Sequence, residues 1–240
     1  GRVPYPIVAL VGYTNSGKST LFNQLTTSEV FAEDMLFATL DPTMRGLILP
    51  SGRKVILSDT VGFVSDLPHD LVAAFRATLE EVLEADLIVH VRDVASAETE
   101  EQRLDVLEVL KELGLQKAID GEELVEALNK IDQLKGDDLL AVNESAARHD
   151  NTIAISAIKG TNCDALLGLV EDRLTEHMPV FELCVPYSDG KSLARLYEHG
   201  EVLQRTEGDD GIAIQVRIDS TRVGRFEDWC AKSGFEIHVV

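Results

Sequence analysis

Cysteine is scarce in this chain of 240 residues, and its three copies, Cys163, Cys184 and Cys230, are widely spaced. An odd and scattered set of this kind does not form a disulfide framework, and it lacks the paired spacing of a zinc site. We therefore expect free thiols in a cytoplasmic protein, where buried cysteines act as small apolar residues.

Long apolar stretches are also missing, since no run approaches the roughly 18 residues that a membrane-spanning helix needs. The first residues, Gly1 to Pro6, lack the apolar centre of a signal peptide and contain no Met. They enter a strand-like segment at once. We expect no membrane span, and we expect that the chain was cut from a longer protein at a domain boundary.

Positive charge is the third deficit, with 22 Lys and Arg against 42 Asp and Glu, a formal net charge of −20. Proteins that grip nucleic acid by general electrostatics carry the opposite balance. The composition therefore excludes binding of RNA by the surface as a whole. The hydrophobic fraction of 45% is ordinary for a globular protein of one or two domains.

A phosphate-binding pattern stands near the start of the chain. Residues 12 to 19 read Gly-Tyr-Thr-Asn-Ser-Gly-Lys-Ser, which fills every position of GxxxxGK[ST] between an apolar run (Ile7 to Val11) and a helical pattern. Glycines let backbone N–H groups approach phosphate oxygens, and the positive end of the helix adds to their attraction. Lys18 is predicted to reach the β- and γ-phosphates, and the Ser19 hydroxyl to bind Mg²⁺.

A second pattern selects the base. Residues 129 to 132 read Asn-Lys-Ile-Asp after the apolar stretch Leu124 to Leu128. A carboxylate at Asp132 can accept from both N1–H and N2–H₂ of guanine, whereas adenine has no N2 amine. We expect Asn129 to hold the loop and contact N7, and the Lys130 stem to cover the ring. The segment Ser156 to Lys159 follows the next strand pattern and offers backbone N–H groups to guanine O6.

Two further segments have the positions of nucleotide-sensing loops. Asp59-Thr60-Val61-Gly62 ends a strand-like run, so Asp59 is predicted to hold a Mg²⁺-bound water and the Gly62 N–H to contact the γ-phosphate. The loop Phe37 to Thr43 offers Thr39 and Thr43 as Mg²⁺ ligands, and chemistry alone does not choose between them. Such loops order and disorder with the γ-phosphate.

Taken in order, GYTNSGKS, FATLDPT, DTVG, NKID and SAIK resemble a translation-factor-class small GTPase. Three longer segments resemble the HflX family of bacterial ribosome-associated GTPases, and the resemblance extends over residues 1 to about 178. The segments are GRVPYPIVALVGYTNSGKSTLFN, LFATLDPT and DTVGFVSDLPHDLVAAFRATLEE. The resemblance implies that Thr39 is the switch threonine. It also implies binding to the large (50S) ribosomal subunit and splitting of stalled ribosomes. The family's N-terminal domain is not in this sequence, which agrees with the expected cut.

The net negative charge of the chain conflicts with binding to a ribosome, which is rich in RNA. Two explanations would remove the conflict: the main RNA-binding surface lies in that N-terminal part, or this chain faces basic ribosomal protein. Acidity is also compatible with a role in solubility alone. The sequence leaves these explanations open.

Two residues bear on catalysis. Phe63 follows Gly62, where many GTPases carry a Gln that orients the attacking water, and a phenyl ring cannot do this. We therefore expect slow hydrolysis without a partner. Asn15 matches the phosphate-loop Asn of potassium-activated GTPases that this class resembles. One hypothesis is that K⁺ beside Asn15 stabilises charge between the β- and γ-phosphates; the other is that Asn15 only caps its own loop.

The predicted catalytic residues are Asn15, Lys18, Thr39 and Gly62, and the predicted metal ligands are Ser19, Thr39 and, through water, Asp59. The predicted nucleotide site comprises Gly12, Tyr13, Thr14, Asn15, Ser16, Gly17, Lys18, Ser19, Thr20, Phe37, Ala38, Thr39, Leu40, Asp41, Asp59, Thr60, Val61, Gly62, Asn129, Lys130, Ile131, Asp132, Ser156, Ala157 and Ile158.

The apolar pattern alternates strands and helices over residues 1–178, which predicts a doubly wound α/β GTP-binding domain with nucleotide at the carboxyl ends of its strands. Residues 115–124 are the least regular, and a strand is expected only from Leu124. Residues 179–240 follow the order β-α-β-β-α-β, with a last strand at 235–240, which predicts a small ferredoxin-like α+β docking domain. Arg217, Arg222 and Arg225 form either a basic patch there or a solvated rim; the rim is favoured.

The chain is therefore predicted to be a monomeric GTPase with Mg²⁺, and in one hypothesis K⁺, that switches on the large ribosomal subunit. One alternative is a guanine-nucleotide-dependent interaction module that hardly turns over. Another is a G protein with a different client, such as tRNA modification or iron transport. A P-loop kinase or ATPase is the weakest alternative, because the NKID motif is predicted to select guanine.

Overall fold

The computed structural model describes residues 5–27, 43–60, 62–63, 80–121 and 123–240. The chain folds into two compact units, Gly1–Leu174 and Thr175–Val240. Each unit has its own sheet, and each is described by itself.

The sheet of the first unit has six strands in the order β2-β3-β1-β4-β5-β6. Its pairs are parallel except for β2 and β3, which are antiparallel across a turn at Ser51 and Gly52. Gly52 has φ 89°, a conformation that suits glycine in a tight turn. The strands are β1 (Ile7–Val11), β2 (Met44–Ile48), β3 (Lys54–Asp59), β4 (Leu87–Asp93), β5 (Leu124–Asn129) and β6 (Thr152–Ala154).

Apolar side chains project from both faces of this sheet, as a parallel sheet between two helix layers requires. Val8 and Leu10 of β1 belong to one core cluster with helix residues Leu21 and Leu166. Ala9 and Val11 belong to the opposite cluster, with Val106 and Leu110. The predicted doubly wound arrangement is thus confirmed. The helices are α1 (Lys18–Leu25), α2 (Glu80–Leu83), α3 (Thr99–Glu112), α4 (Gln116–Asp120), α5 (Gly136–Ala147) and α6 (Cys163–Thr175).

The short helix α4 corrects the expectation of an irregular segment before β5. Ala118 is buried, and Leu115 and Ile119 pack against the same cluster as α3. Five residues are too few for a helix to be stable alone, so tertiary packing stabilises this turn. Strand β5 begins at Leu124, as predicted.

The sheet of the second unit has four antiparallel strands in the order β10-β7-β9-β8. This order, with one helix after the first strand and one after the third, is the predicted ferredoxin-like arrangement. Strand β9 alternates buried and half-buried residues, so one face carries the core. Its elements are β7 (Val180–Val185), α7 (Gly190–His199), β8 (Glu201–Glu207), β9 (Ile212–Arg217), α8 (Val223–Ser233) and β10 (His238–Val239).

One expectation for this unit was wrong, and one open alternative is decided. The last strand, expected over 235–240, is only two residues long, because Phe235 and Ile237 instead pack against the core cluster of Phe181 and Phe226. Arg217 does not belong to a basic patch, because its Nη1 lies 3.2 Å from Glu201 Oε2. In the part of the chain that the structure describes, no helix is long and apolar enough to cross a membrane.

A buried polar network lies in the middle of the first sheet. Glu126 on β5 accepts from Arg103 Nε at 2.7 Å and from Arg92 Nη1 at 3.2 Å. His90 on β4 is 1% exposed, its Nδ1 lies 3.8 Å from Glu126, and that nitrogen has no hydrogen-bond partner among the described residues. Burial lowers the pKa of His90 from 6.5 to about 4, although the charge of Glu126 opposes this.

The lowered pKa of His90 predicts that the folded chain loses stability at acid pH. The folded pKa lies below the unfolded one, so the contribution of neutral His90 is complete above pH 6.5 and is lost as pH falls toward 4. Between pH 7 and pH 5 we expect the free energy of unfolding to drop by about 2 kcal/mol through this residue. Urea unfolding at both pH values measures it. A His90→Phe variant should lose most of the drop, and an equal drop in the variant would contradict the assignment.

Candidate nucleotide-binding site

The loops that follow β1, β3, β4, β5 and β6 lie at one edge of the sheet, because these strands are parallel. Every predicted motif of the first unit that the structure describes is on one of these loops. Ligands of open α/β sheets bind at this edge.

The loop after β1 has the backbone that its sequence predicts. Asn15 has φ 61° and Gly17 φ 98°, and Ser16 N donates to Tyr13 O at 3.1 Å. A Cβ on Gly12 would lie 2.3 Å from Val91 O, so only glycine fits there. Helix α1 begins directly afterwards with no side-chain cap among the described residues, and Ser16 Oγ is buried without a partner in the same region. Uncapped N–H groups and a free hydroxyl suit a phosphate.

Lys18 is held inside this loop and is 6% exposed. Its Nζ donates to Gly12 O at 3.2 Å and to Tyr13 O at 3.3 Å. Burial lowers the pKa of Lys18, and the negative charge of Asp59 opposes that effect. The Lys18 side chain is therefore held in a fixed position inside the phosphate loop.

Ser19 and Asp59, the two predicted metal ligands that the structure describes, are in contact. Ser19 Oγ donates to Asp59 Oδ2 at 2.7 Å, and the buried Asp59 Oδ1 has no hydrogen-bond partner among the described residues. A hydroxyl and a carboxylate with an unused oxygen form a donor set that Mg²⁺ prefers. These residues therefore fit the ion.

The chain after Asp59 returns to the phosphate loop. Phe63 N donates to Gly12 O at 3.0 Å, and Phe63 O accepts from Thr14 N at 2.7 Å. A Cβ on Gly62 would lie 3.0 Å from Thr14 Cα and 3.1 Å from Lys18 Nζ, which explains glycine at this position. The Phe63 side chain is fully buried in the second core cluster. It anchors this loop to the phosphate loop and is not available to orient a water.

Asn129 at the end of β5 joins three loops. Its Nδ2 donates to Ser16 O at 2.9 Å, and its Oδ1 accepts from Ala157 N at 2.9 Å. The side chain is 2% exposed, and a Cβ on Gly17 would lie 2.3 Å from its Nδ2. The phosphate loop and the two predicted base loops are therefore held in one arrangement by a single amide.

The next residues of the motif are also fixed. Lys130 has φ 74°, and its Nζ lies 2.7 Å from Asn15 O and 2.6 Å from Asp93 Oδ2. Asp132 Oδ1 accepts from Ser156 Oγ at 2.7 Å. The lysine stem and the aspartate are therefore supported by neighbouring loops, as residues that contact a base must be.

Comparison with known proteins agrees with this geometry. Residues 7–130 match the family model described as 50S ribosome-binding GTPase, and residues 141–228 match the one described as HflX C-terminal domain. The chain belongs to the HflX family of GTPases. It is 43% identical to GTPase HflX of Magnetococcus marinus over 98% of this chain and 53% of that protein. Against GTPase HflX of Caldanaerobacter subterraneus it is 45% identical, over 89% of this chain and 47% of that protein.

The chain thus spans about half the length of the HflX relatives that it matches. Among solved structures, a GTP-binding protein from Sulfolobus solfataricus in complex with GDP is 31% identical, with a TM-score of 0.55. That similarity covers 71% of this chain and 53% of that one.

For this HflX chain, the structure brings together the predicted site residues of the loops after β1, β3, β5 and β6. Ile158 lies on the last of these loops with its side chain 74% exposed. Phe37, Ala38, Thr39, Leu40, Asp41 and Val61 fall outside the described residues, so their predicted roles stay predictions. Thr43 is described, and its carbonyl accepts from Asp59 N at 2.8 Å.

Asp93, which the sequence analysis did not include among the site residues, both caps its own turn and holds a residue of the candidate site. Its Oδ1 accepts from Ala95 N at 3.0 Å while its Oδ2 holds Lys130. Its position at the end of β4 was the available signal. Sequence reasoning missed the anchoring role of Phe63. An apolar residue after DxxG shows that this position cannot orient a water, but it does not show where the ring packs.

Proposed function

We propose that this chain binds GTP with Mg²⁺, hydrolyses it to GDP and phosphate, and acts as a switch on the large ribosomal subunit. The observation that carries the nucleotide part is the double hydrogen bond of Asn129. It holds the phosphate loop and the base loops together, so that Lys18 and Asp132 serve the two ends of one ligand.

Each end has its own chemistry. Asp132 accepts from N1–H and N2–H₂ of guanine, and the Lys130 stem covers the ring. At the other end, the N–H groups of the phosphate loop and the Lys18 ammonium neutralise the β- and γ-phosphates. We expect the Gly62 N–H to contact the γ-phosphate, and the close approach of this residue to Thr14 and Lys18 supports that role.

Ser19 and Asp59 fit Mg²⁺, and Thr39 is the third ligand that the family resemblance implies. When bound, the ion draws charge from the phosphate oxygens and fixes their geometry. The chain's own contribution is to hold the hydroxyl of Ser19 and the carboxylate of Asp59 at hydrogen-bonding distance.

Hydrolysis by this chain alone should be slow. Phe63 stands at the sequence position where many GTPases carry the residue that orients the attacking water, and its ring is buried in the core. The same observation favours a second candidate function, a guanine-nucleotide-dependent interaction module with negligible turnover. Single-turnover hydrolysis of GTP in Mg²⁺ buffer separates the two: measurable release of phosphate identifies the enzyme, and stable bound GTP identifies the module.

The potassium hypothesis predicts a cation effect on this rate. Asn15 has a left-handed backbone within the phosphate loop, and its carbonyl accepts from Lys130, which supports a fixed position for this residue near the expected phosphates. Replacing Na⁺ by K⁺ should raise single-turnover hydrolysis at least about tenfold, a threshold set below the roughly 10²–10³-fold effect of removing one charge-stabilising group. An Asn15→Gly variant keeps the backbone and removes the amide, and it should lose the K⁺ effect. Equal rates in the two salts would contradict the hypothesis.

The ribosomal part rests on the description of the matched family model and on the resemblance of the motifs. We propose that the chain acts as a cytoplasmic monomer, with a GTP-binding domain over residues 1–178 and a docking domain over 179–240. Splitting of stalled ribosomes is the corresponding role for the longer protein.

A further inference from the structure

The second unit carries an open groove of about 350 Å³ between its two helices. Helix α7 contributes Arg195 and His199 to the lining, and helix α8, with the short turn before it, contributes Arg222, Arg225 and Trp229. Among the residues that the structure describes, none of the candidate nucleotide site belongs to this groove.

The arginines of the groove are not neutralised. Arg195, Arg222 and Arg225 are exposed, and within the described part of the chain no ion pair joins any of them to a carboxylate. The two other arginines of this unit are paired, Arg205 with Glu207 and Arg217 with Glu201. Three unpaired guanidinium groups around one groove create a local positive potential in a chain whose net charge is −20.

A planar surface accompanies this charge. The Arg195 guanidinium lies over the Trp229 ring, with Cζ 5.0 Å from the ring centroid. Trp229 is in turn supported by Phe235, with ring centroids 5.5 Å apart. An exposed arginine whose guanidinium lies over an aromatic ring provides a planar group on which a nucleobase can stack.

We propose that this groove binds a single-stranded segment of RNA, with a base stacked on Arg195 and backbone phosphates contacted by Arg222 and Arg225. Guanidinium groups match phosphate oxygens with two parallel hydrogen bonds. The proposal rests on the proposed ribosomal function, to which it adds the chemistry of the contact. It also resolves the conflict of acidity with an RNA partner, because recognition is confined to one patch.

An acidic peptide is the rival occupant, and the apolar floor argues against it. Leu196 and Phe226 line the groove but are only 1% and 8% exposed. These two residues offer little area to an apolar anchor of a peptide, and the aromatic surface that the groove leaves accessible belongs to Trp229, on which a base can stack. The groove presents three guanidinium groups and the Trp229 ring, which suit a nucleotide better than an acidic peptide.

Trp229 is the only tryptophan of the chain, so its fluorescence reports directly on the groove. The intact chain, loaded with GDP, is titrated with a short oligouridine at low salt. We expect saturable quenching, and we expect the affinity to fall about sevenfold when salt is raised fourfold, the dependence of the two proposed phosphate contacts on a single strand. An Arg222→Ala/Arg225→Ala variant should bind at least about tenfold more weakly.

The matched control is Lys191→Ala/Arg205→Ala, which removes the same charge from outside the groove and should bind like the unaltered chain. The proposal is overturned by absence of quenching at low salt, or by equal losses in the two double variants. It is also overturned if poly-glutamate binds as tightly as the RNA, or if ATP displaces the RNA at similar concentration. Stimulation of GTP hydrolysis by ribosomal subunits is measured separately, so loss of RNA binding with stimulation retained would reject the groove and not the proposed function.

Discussion

Replacing Asp132 by Asn is expected to weaken GDP binding about 100-fold, or about 3 kcal/mol, and to favour xanthine nucleotides. The carboxylate accepts two guanine donors, whereas an Asn amide presents one of its donors to them. Xanthine carries a carbonyl at C2, which accepts from that amide. Competition of GDP and XDP for a fluorescent nucleotide analogue measures both effects.

The control for this variant is Ser156→Ala. The Ser156 hydroxyl donates to Asp132 at 2.7 Å, so its loss loosens the carboxylate without removing it. We expect a loss of GDP affinity of only a few-fold and no gain for XDP. An Asp132→Asn variant with unchanged GDP affinity would reject the assignment of the guanine site and would revive a P-loop kinase or ATPase.

Replacing Asn129 by Ala should be the most damaging single change for the assembly of the site. It leaves the Ser16 carbonyl and the Ala157 N–H without their buried partners. Each unpaired group costs about 1–3 kcal/mol, so we expect the free energy of unfolding to fall by about 3 kcal/mol and nucleotide affinity to fall with it. Chemical denaturation without nucleotide and GDP titration of the folded variant measure the two losses.

Two further variants make this test specific. Asn129→Asp keeps an acceptor for Ala157 N–H but loses the donor to Ser16, so its loss should be intermediate. Asn151→Ala removes a hydrogen bond of 3.1 Å to Leu124 O, at the opposite end of β5. It should lower stability without changing GDP affinity. If Asn129→Ala behaved like Asn151→Ala, Asn129 would be only a packing residue.

The first unit and the nucleotide site were largely predictable because short motifs follow apolar strands. Parallel strands place the loops after Val11, Asp59 and Asn129 at one edge, so chain order alone assembles the site. The interactions within the site were less visible. The contacts of Asn129 with Ser16 and Ala157 span 113 and 28 residues of sequence, and no local pattern reports them.

The misses share a physical cause, which is that tertiary contacts outweighed local preference. Helix α4 forms because Ala118 and its apolar neighbours meet a core made elsewhere in the chain. Phe63 was understood as a missing catalytic group, but its ring is a core residue that ties one loop to another. In the second unit, sequence alone left Arg217 open between a basic patch and a rim, and strand pairing sets it opposite Glu201.

We propose that the large ribosomal subunit completes an active site that this chain leaves incomplete. The most direct measurement is single-turnover hydrolysis of GTP by the intact chain in K⁺ and Mg²⁺, with and without purified 50S subunits. We expect slow hydrolysis by the chain alone and at least about a hundredfold faster hydrolysis with saturating subunits, the lower end of what one supplied charge-stabilising group contributes. A rate that subunits leave unchanged, with GTP fully bound, would contradict it.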